Sequence, residues 1–442
     1  MSPTLVSRIL SAGRGNGLRA QLVRGATGVG ALKFLSIPLS LAASVLLARV
    51  LGPEGFGKYA FIMSITTVLS LPLDKGMRQL ITREVSSYHH SGNWALFRGL
   101  MRWAHKWVLL GSLLLGLIIG GFAVVNATWD VNDRWTLLLV GLVLLPFLSL
   151  NALRGANLRG LGYVVYAQLP EFLVRPGSHL AFAAILLGLG ILNPATALMS
   201  QVVAAACAFL IGAYLLHQRR PQELSTATPA YRNADWTRAW VPFTLLMAAS
   251  MLNNQIGILL LGWLGTDAQV AALRVADRGA QLVALSLGIV NLVIAPHITR
   301  AYQKGSNKRL QQISRQSARA ALVVALPVAA PLILFGRPII GLIFGAEYVE
   351  ISVVPLAILA AAQLINVIFG SIGMFLVMSG FERDTLIGHI IALIINIVAA
   401  MIFIPLFGAN GAAYAAAIGL VTWNTVLAVK FMQRLGLRPS AL

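Results

Sequence analysis

Apolar runs of about twenty residues or more recur along nearly the whole chain, separated by short connections. A hydrocarbon core about 30 Å thick is crossed by roughly 20 helical residues, so each run is long enough to span it. The candidate spans are residues 27–50, 56–82, 107–126, 134–158, 163–190, 195–217, 239–264, 269–297, 320–341, 352–379, 385–406 and 411–433. The connections "LGPEGFG", "NATWDVNDR", "GLGILNP", "LGTDAQ", "FGAEYVE" and "FGANG" carry the residues that turns require. The pattern predicts an all-α polytopic membrane protein of about twelve transmembrane helices. Only 11% of the residues are charged, against about a quarter in soluble domains. The amino-terminal Arg8, Arg14, Arg19 and Arg24 precede the first run. That run exceeds a cleavable signal core and lacks an Ala-x-Ala-like site, so it reads as an uncleaved first helix.

The formal net charge of +20 would suggest nucleic acid in a soluble protein. Here the basic residues stand between spans, where topology and anionic lipid headgroups explain them, and no nucleic-acid partner is expected. With a cytoplasmic amino terminus, 24 of the 34 Lys and Arg fall in connections or tails on one side. The other side holds Arg49, Lys58, Arg134 and Arg337. This bias predicts that both termini are cytoplasmic.

The longest polar connection, "QRRPQELSTATPAYRNADWTR" at 218–238, separates six spans from six. At an offset of 213 residues, "LLARVLGPEGF" aligns with "LLLGWLGTDAQ", and His217 falls on Lys430. The expected organisation is an N-terminal six-helix bundle over 1–217, a cytoplasmic linker over 218–238 and a C-terminal bundle over 239–442. Repeats of six helices keep the same orientation, related by an axis along the membrane normal.

Signs of catalysis are sparse. Gly52 to Lys58 meets the G-x-x-x-x-G-K part of a phosphate-binding loop. Tyr59, however, stands where the Mg²⁺-binding Ser or Thr belongs, and a membrane helix rather than a strand precedes it. The segment reads instead as the outer hairpin of a repeat. Asp130 and Asp133 suit a solvated turn. The single cysteine, Cys207, excludes an intrachain disulfide, and no Cys/His cluster has metal-ligand spacing. No enzyme, cofactor or metal is expected.

Ionisable residues inside spans are costly and usually face a partner or a water-filled interior. Asp74 and Arg78 in "LPLDKGMRQL" are spaced i, i+4, with Lys75 beside Asp74. Glu171 and Arg175 in "LPEFLVRPGSH" share that spacing, and the flanking Pro170 and Pro176 predict an irregular helix. In "LRVADRGAQ", Arg274 and Arg278 share a face with Asp277 and Gln281 beside them. With Arg154 near the inner end of the fourth span, Lys75, Arg78, Arg175, Arg274 and Arg278 form a cationic ladder from inner to outer leaflet, if they share one cavity. Three readings are open: self-neutralising pairs that hold helices together, an anion pathway, and snorkelling at span ends. The excess of cations favours an anion such as a diphosphate, which Arg grips as a fork. Asp74, Glu171 and Asp277 would then be charge partners or ion-coupling groups.

"LLARVLGPEGFGKYAF" after the first span, and "SGFERDTLIGHIIALIINIVAAMIFIPLFGANGAAYAAAIG" around the last two, resemble the polysaccharide transporter family. These are O-antigen and related lipid-linked oligosaccharide flippases of the multidrug/oligosaccharidyl-lipid/polysaccharide exporter superfamily. The resemblance implies two pseudo-symmetric six-helix bundles around a V-shaped cavity in the bacterial inner membrane. It implies transfer of an undecaprenyl-diphosphate-linked repeat unit from the cytoplasmic to the periplasmic leaflet, with a polysaccharide polymerase and a chain-length regulator as partners. Residues 27–50 lack the acid that proton-coupled drug exporters often carry on their first helix. Peptidoglycan-precursor flippases typically have two further helices. Both remain alternatives.

Overall fold

The computed structural model describes residues 18–126, 128–130 and 133–438. The amino-terminal Arg8 and Arg14 lie outside the described residues. Helices dominate: α1 (Leu18–Leu69), α2 (Leu71–Ser91), α3 (Trp94–Asn126), α4 (Arg134–Gly160), α5 (Val164–Leu169), α6 (Arg175–Gly188), α7 (Pro194–Arg219) and α8 (Glu223–Thr226) come first. They continue with α9 (Asn233–Leu264), α10 (Asp267–Gln303), α11 (Asn307–Leu334), α12 (Gly336–Ile343), α13 (Val349–Phe369), α14 (Ile372–Met378), α15 (Glu382–Phe407) and α16 (Ala409–Leu435). Among the described residues, nine helices are long and apolar enough to cross a membrane, ten if the bent α10 counts as one span. The chain is a multi-pass membrane protein.

The nine and the predicted twelve differ because several spans are broken. α1 contains the first span and the start of the second, divided at Gly52, whose φ of 66° and ψ of 177° leave the helix. Glycine adopts positive φ without a Cβ clash, and Pro53 suits the first turn of the rod that follows. The second span breaks again at Ser70, where Pro72 opens α2. The fifth, flanked by two prolines as its sequence indicates, is α5 and α6 joined by a π turn at Pro170–Val174. α10 bends by 45° between Asn291 and Val293, where the ring of Pro296 displaces the hydrogen bond to the carbonyl one turn earlier.

The helices group into two compact units. One takes Leu69–Met247 together with the chain as far as Leu46; the other takes Leu47–Val68 and Ala248–Leu442. In the first, α4 packs on α2, α3 and α7. Its core joins Met77, Leu80, Ile81, Leu100, Trp103 and Leu153 to Trp236. Trp236 is 1% exposed and donates its indole N–H to the Tyr88 hydroxyl at 3.0 Å. The Ala230 N–H bonds the Ala95 carbonyl at 2.9 Å, and Arg98 Nη1 bonds the carbonyls of Ser225 and Ala227 at 2.9 and 2.6 Å. The polar stretch 218–238 is thus docked onto this unit.

In the second unit α10 packs on α11, α13, α14 and α16, with Phe375 and Phe431 edge to face at 5.6 Å in the core. Residues 47–68 are tied in by polar contacts. The Tyr348 hydroxyl bonds the Ala48 carbonyl at 2.9 Å, and Arg49 donates to the carbonyls of Leu342 and Ile343 at the end of α12. Here the two aligned segments meet, both helical at the contact: a Cβ on Gly57 would overlap the backbone carbonyl of Asp267. Thr266 and Gln269 form a capping box that starts α10, each side chain accepting from the other's backbone N–H. Asp133 caps α4 similarly, accepting from the N–H groups of Thr136 and Thr128 at 3.1 and 3.2 Å. Desolvation pushes its carboxyl up, but these donors together hold it below the ordinary carboxylate range. Outward stripes such as Leu110, Leu113, Leu114, Leu117 and Ile118 on α3 stay exposed, as a lipid-facing surface requires.

Trp236→Ala should cost about 3–5 kcal/mol by leaving a cavity beneath α3, read as a lower unfolding midpoint in detergent; Trp236→Phe should cost much less. Gly57→Val should remove monodisperse protein from size-exclusion profiles, whereas valine at the more open Gly116 should not.

Candidate functional site

The charges predicted inside spans two and five converge in the first unit. Asp74, 3% exposed, receives Lys75 Nζ at 3.3 Å and Arg78 Nη2 at 3.5 Å on the same oxygen. Its other oxygen and Arg78 Nε have no hydrogen-bond partner. On the π turn, Glu171 binds Arg175 at 3.0 Å and accepts from Asn151 of α4 at 3.1 Å. The π turn adds a residue to the helical repeat at this point, as such bulges often do at functional sites. Glu171 also lies within electrostatic reach of Lys75, Arg78 and Asp74, so the two pairs form one cluster.

A sixth ionisable group belongs to it. Arg159, partly buried, feels both Arg78 and Glu171, and its Nε lacks a partner. The cluster therefore holds four cations, Lys75, Arg78, Arg159 and Arg175, against two carboxylates. Sequence reasoning counts Arg159 among the topology-setting residues of a connection. Its place at the end of α4, eight residues after Asn151, is the signal that could have found it.

Arg154 is elsewhere. At about 100° per residue, five residues put Arg154 and Arg159 roughly 140° apart around α4. Arg154 stacks on the Phe209 ring at 3.3 Å and lines a separate pocket of this unit with His105 and His217.

The second unit holds the other predicted group. Arg274 binds Asp277 at 3.6 Å and donates to the Ser64 hydroxyl at 3.4 Å, and Gln281 donates to Asp277 at 2.7 Å. Arg278 is close enough to feel both, with its Nε unpartnered. Asp277 also lines a cavity of about 340 Å³ with Asn253, Asn254, Gln363, His389, Asn396 and Trp423. Asn253 spans two helices, donating to the His389 carbonyl at 2.8 Å, and His389 stacks on Trp423 at 5.2 Å. Attention to charge alone passes over these amides, although "NNQ" at 253–255 inside an apolar run signals a polar interior.

Neither group is a catalytic constellation. Both are half-buried arrays of cation and carboxylate that can hold an anion or exchange one ion partner for another.

A family model described as "Polysaccharide biosynthesis protein" matches residues 22–302. The chain belongs to this family. A second model, MatE, matches residues 242–402. The family member is 20% identical to the probable low-salt glycan biosynthesis flippase Agl15 of Haloferax volcanii, over 87% of this chain and 78% of the relative. Its fold is similar to an inward-facing multidrug resistance MATE transporter of the MOP superfamily, with a TM-score of 0.75 at 16% identity, covering 93% of this chain and 98% of the other. The lipid II flippase MurJ, in an inward closed conformation, gives 0.72 at 15% identity, covering 91% and 87%. This is the fold of the exporter superfamily that the sequence resembles, and these relatives are transporters and flippases, not catalysts.

Arg175→Gln and Glu171→Gln should each lower the unfolding midpoint, while the double variant loses less than their sum. A coupling of roughly 0.5–3 kcal/mol is expected for charges in contact, read from a double-mutant cycle in detergent.

Proposed function

We propose that the chain is a flippase for a lipid-linked oligosaccharide. It moves an undecaprenyl-diphosphate-bearing repeat unit, of the O-antigen or another surface polysaccharide, from the cytoplasmic to the periplasmic leaflet by alternating access. The observation that carries this reading is the half-buried cluster of Lys75, Arg78, Arg159 and Arg175 around Asp74 and Glu171, the two carboxylates it holds among the described residues. Such an excess of cations leaves guanidinium donors for a diphosphate or acidic sugar. When no substrate is present, Asp74 and Glu171 neutralise part of the cluster, and substrate takes over those partners. Arg274 and Arg278, restrained by Asp277, are the candidate anion contacts of the second unit. Asp74, Glu171 and Asp277 are the candidates for ion coupling. The charge bias between connections supports cytoplasmic termini and an inner-membrane location. A polymerase and a chain-length regulator are the partners this role calls for.

The MatE match over residues 242–402 favours a second reading, ion-coupled drug export. A cationic drug would meet like charge in both clusters, which weighs against it. A peptidoglycan-precursor lipid carries the same diphosphate and is separated from the first reading only by its glycan.

In a strain lacking its surface-polysaccharide flippase, the wild-type chain should restore polymer, and Arg78→Gln and Arg175→Gln should not, at equal membrane levels. Full restoration by both variants contradicts the anion role. Drug resistance on overexpression without restored polymer supports the exporter, and rescue of a lipid II flippase deletion supports the precursor lipid.

A further inference from the structure

The pocket that takes Arg154 has chemistry unlike the clusters described above. It encloses about 710 Å³ between α3, α4, α7 and the short α8, within the first unit. Arg98, Arg102, His105, Arg154, His217 and Arg220 line it, and no carboxylate does. Among the described residues, none of the six forms an ion pair. The substrate cluster carries its own counter-charges; this pocket has none.

Two of the arginines are fixed before any ligand arrives. Arg154 sits over the Phe209 ring, its Cζ 3.3 Å from the ring centroid, and its buried Nη1 has no hydrogen-bond partner. Arg98 is held by the Ser225 and Ala227 carbonyls, which also keeps α8 in place as one wall. Arg102 and Arg220 are exposed at the rim. The rest of the lining is mostly apolar, including Phe97, Met101 and Leu216, with Asn157 and Ser225 as its polar members. Positive charges that converge in a partly desolvated pocket repel each other until an anion joins them, and planar guanidinium forks match phosphate oxygens. Apolar walls beside the charges suit the start of a hydrocarbon tail. The pocket also sits where the basic residues 98–106 of α3 and 217–220 at the end of α7 gather, an end of the unit suited to anionic headgroups.

We propose that this pocket binds a lipid-borne phosphate ester, with Arg154 as the fixed inner contact and Arg102 and Arg220 closing over it from the rim. Two lipids carry that chemistry, an anionic phospholipid and the polyprenyl diphosphate of a glycan carrier. The site does not depend on which substrate the chain transports.

The test uses the full chain in neutral detergent, with lipid adducts and affinities read by native mass spectrometry. The probes are phosphatidylglycerol, phosphatidylcholine, a polyprenyl diphosphate and inorganic pyrophosphate, on the wild type, Arg154→Gln and the double variant Arg102→Gln/Arg220→Gln. Loss of a charge-assisted phosphate contact should weaken binding on the order of tenfold in each variant. Preference for phosphatidylglycerol over phosphatidylcholine, lost in the variants, supports the site with a phospholipid as its ligand. Preference for the polyprenyl diphosphate, lost in the same variants, supports it with the carrier as ligand. Equal binding of phosphatidylglycerol and phosphatidylcholine, with no variant-sensitive binding of the polyprenyl diphosphate, overturns the proposal, even where inorganic pyrophosphate alone still binds. So does wild-type affinity in the exposed double variant, which keeps the test decisive if Arg154→Gln fails to fold.

Discussion

Charge that is withdrawn from water must find a partner, and in this protein that requirement organises the polar interior. Removing a carboxylate or guanidinium from solvent costs several kcal/mol per ion unless other charges and donors replace the water. Asp74 meets the demand with two cations on one oxygen, and Glu171 with an arginine and an amide. Arg274 meets it with Asp277 and the Ser64 hydroxyl. In each case some donor or acceptor is left over: Asp74 Oδ1, Arg78 Nε, Arg159 Nε and Arg278 Nε. The spare guanidinium N–H groups, unlike the spare carboxylate oxygen, are donors that an anion could use.

Positioning these groups falls to helix breaks rather than to long regular rods. The π turn at Pro170–Val174 carries Glu171 and delivers Arg175 into the next helix. The interruption at Ser70 begins α2 just before Asp74. Both breaks involve proline, whose missing N–H leaves a carbonyl free and loosens the local repeat. Backbone irregularity at membrane depth is tolerated where protein or water surrounds it, and these breaks coincide with the charged clusters.

Much of the fold is legible in the chain because bilayer thickness imposes a length on every span, and each predicted span corresponds to helix in the structure. The i, i+4 pairs at Asp74–Arg78 and Glu171–Arg175 are likewise legible, since helix geometry alone brings them together. The break at Gly52 in "LGPEGFG" and the helix start at Thr266 in "LGTDAQ" are legible from their turn-forming residues. Their direct contact through Gly57 and Asp267 is not, because it joins segments 210 residues apart. Arg159 and Arg154 are hard to place for a related reason. Both sit at the end of a span, where positive charge usually reports topology, and only the rotation along α4 separates the one that joins the cluster from the one that faces a second pocket. The docking of 218–238 is concealed by its polar composition, which resembles a free linker until Trp236 is seen buried in the core.

We propose that the half-buried excess of cations around Asp74 and Glu171 carries a lipid diphosphate between leaflets. The most direct test is a reconstituted leaflet-exchange assay. Proteoliposomes would contain a fluorescent polyprenyl-diphosphate oligosaccharide, whose headgroup becomes accessible to an external quencher only on the outer face. Wild-type protein should equilibrate the label between leaflets in minutes, with Arg78→Gln and Arg175→Gln reduced to the rate of protein-free vesicles. Equal exchange by wild type and both variants, or no exchange by any of them in folded form, would contradict it.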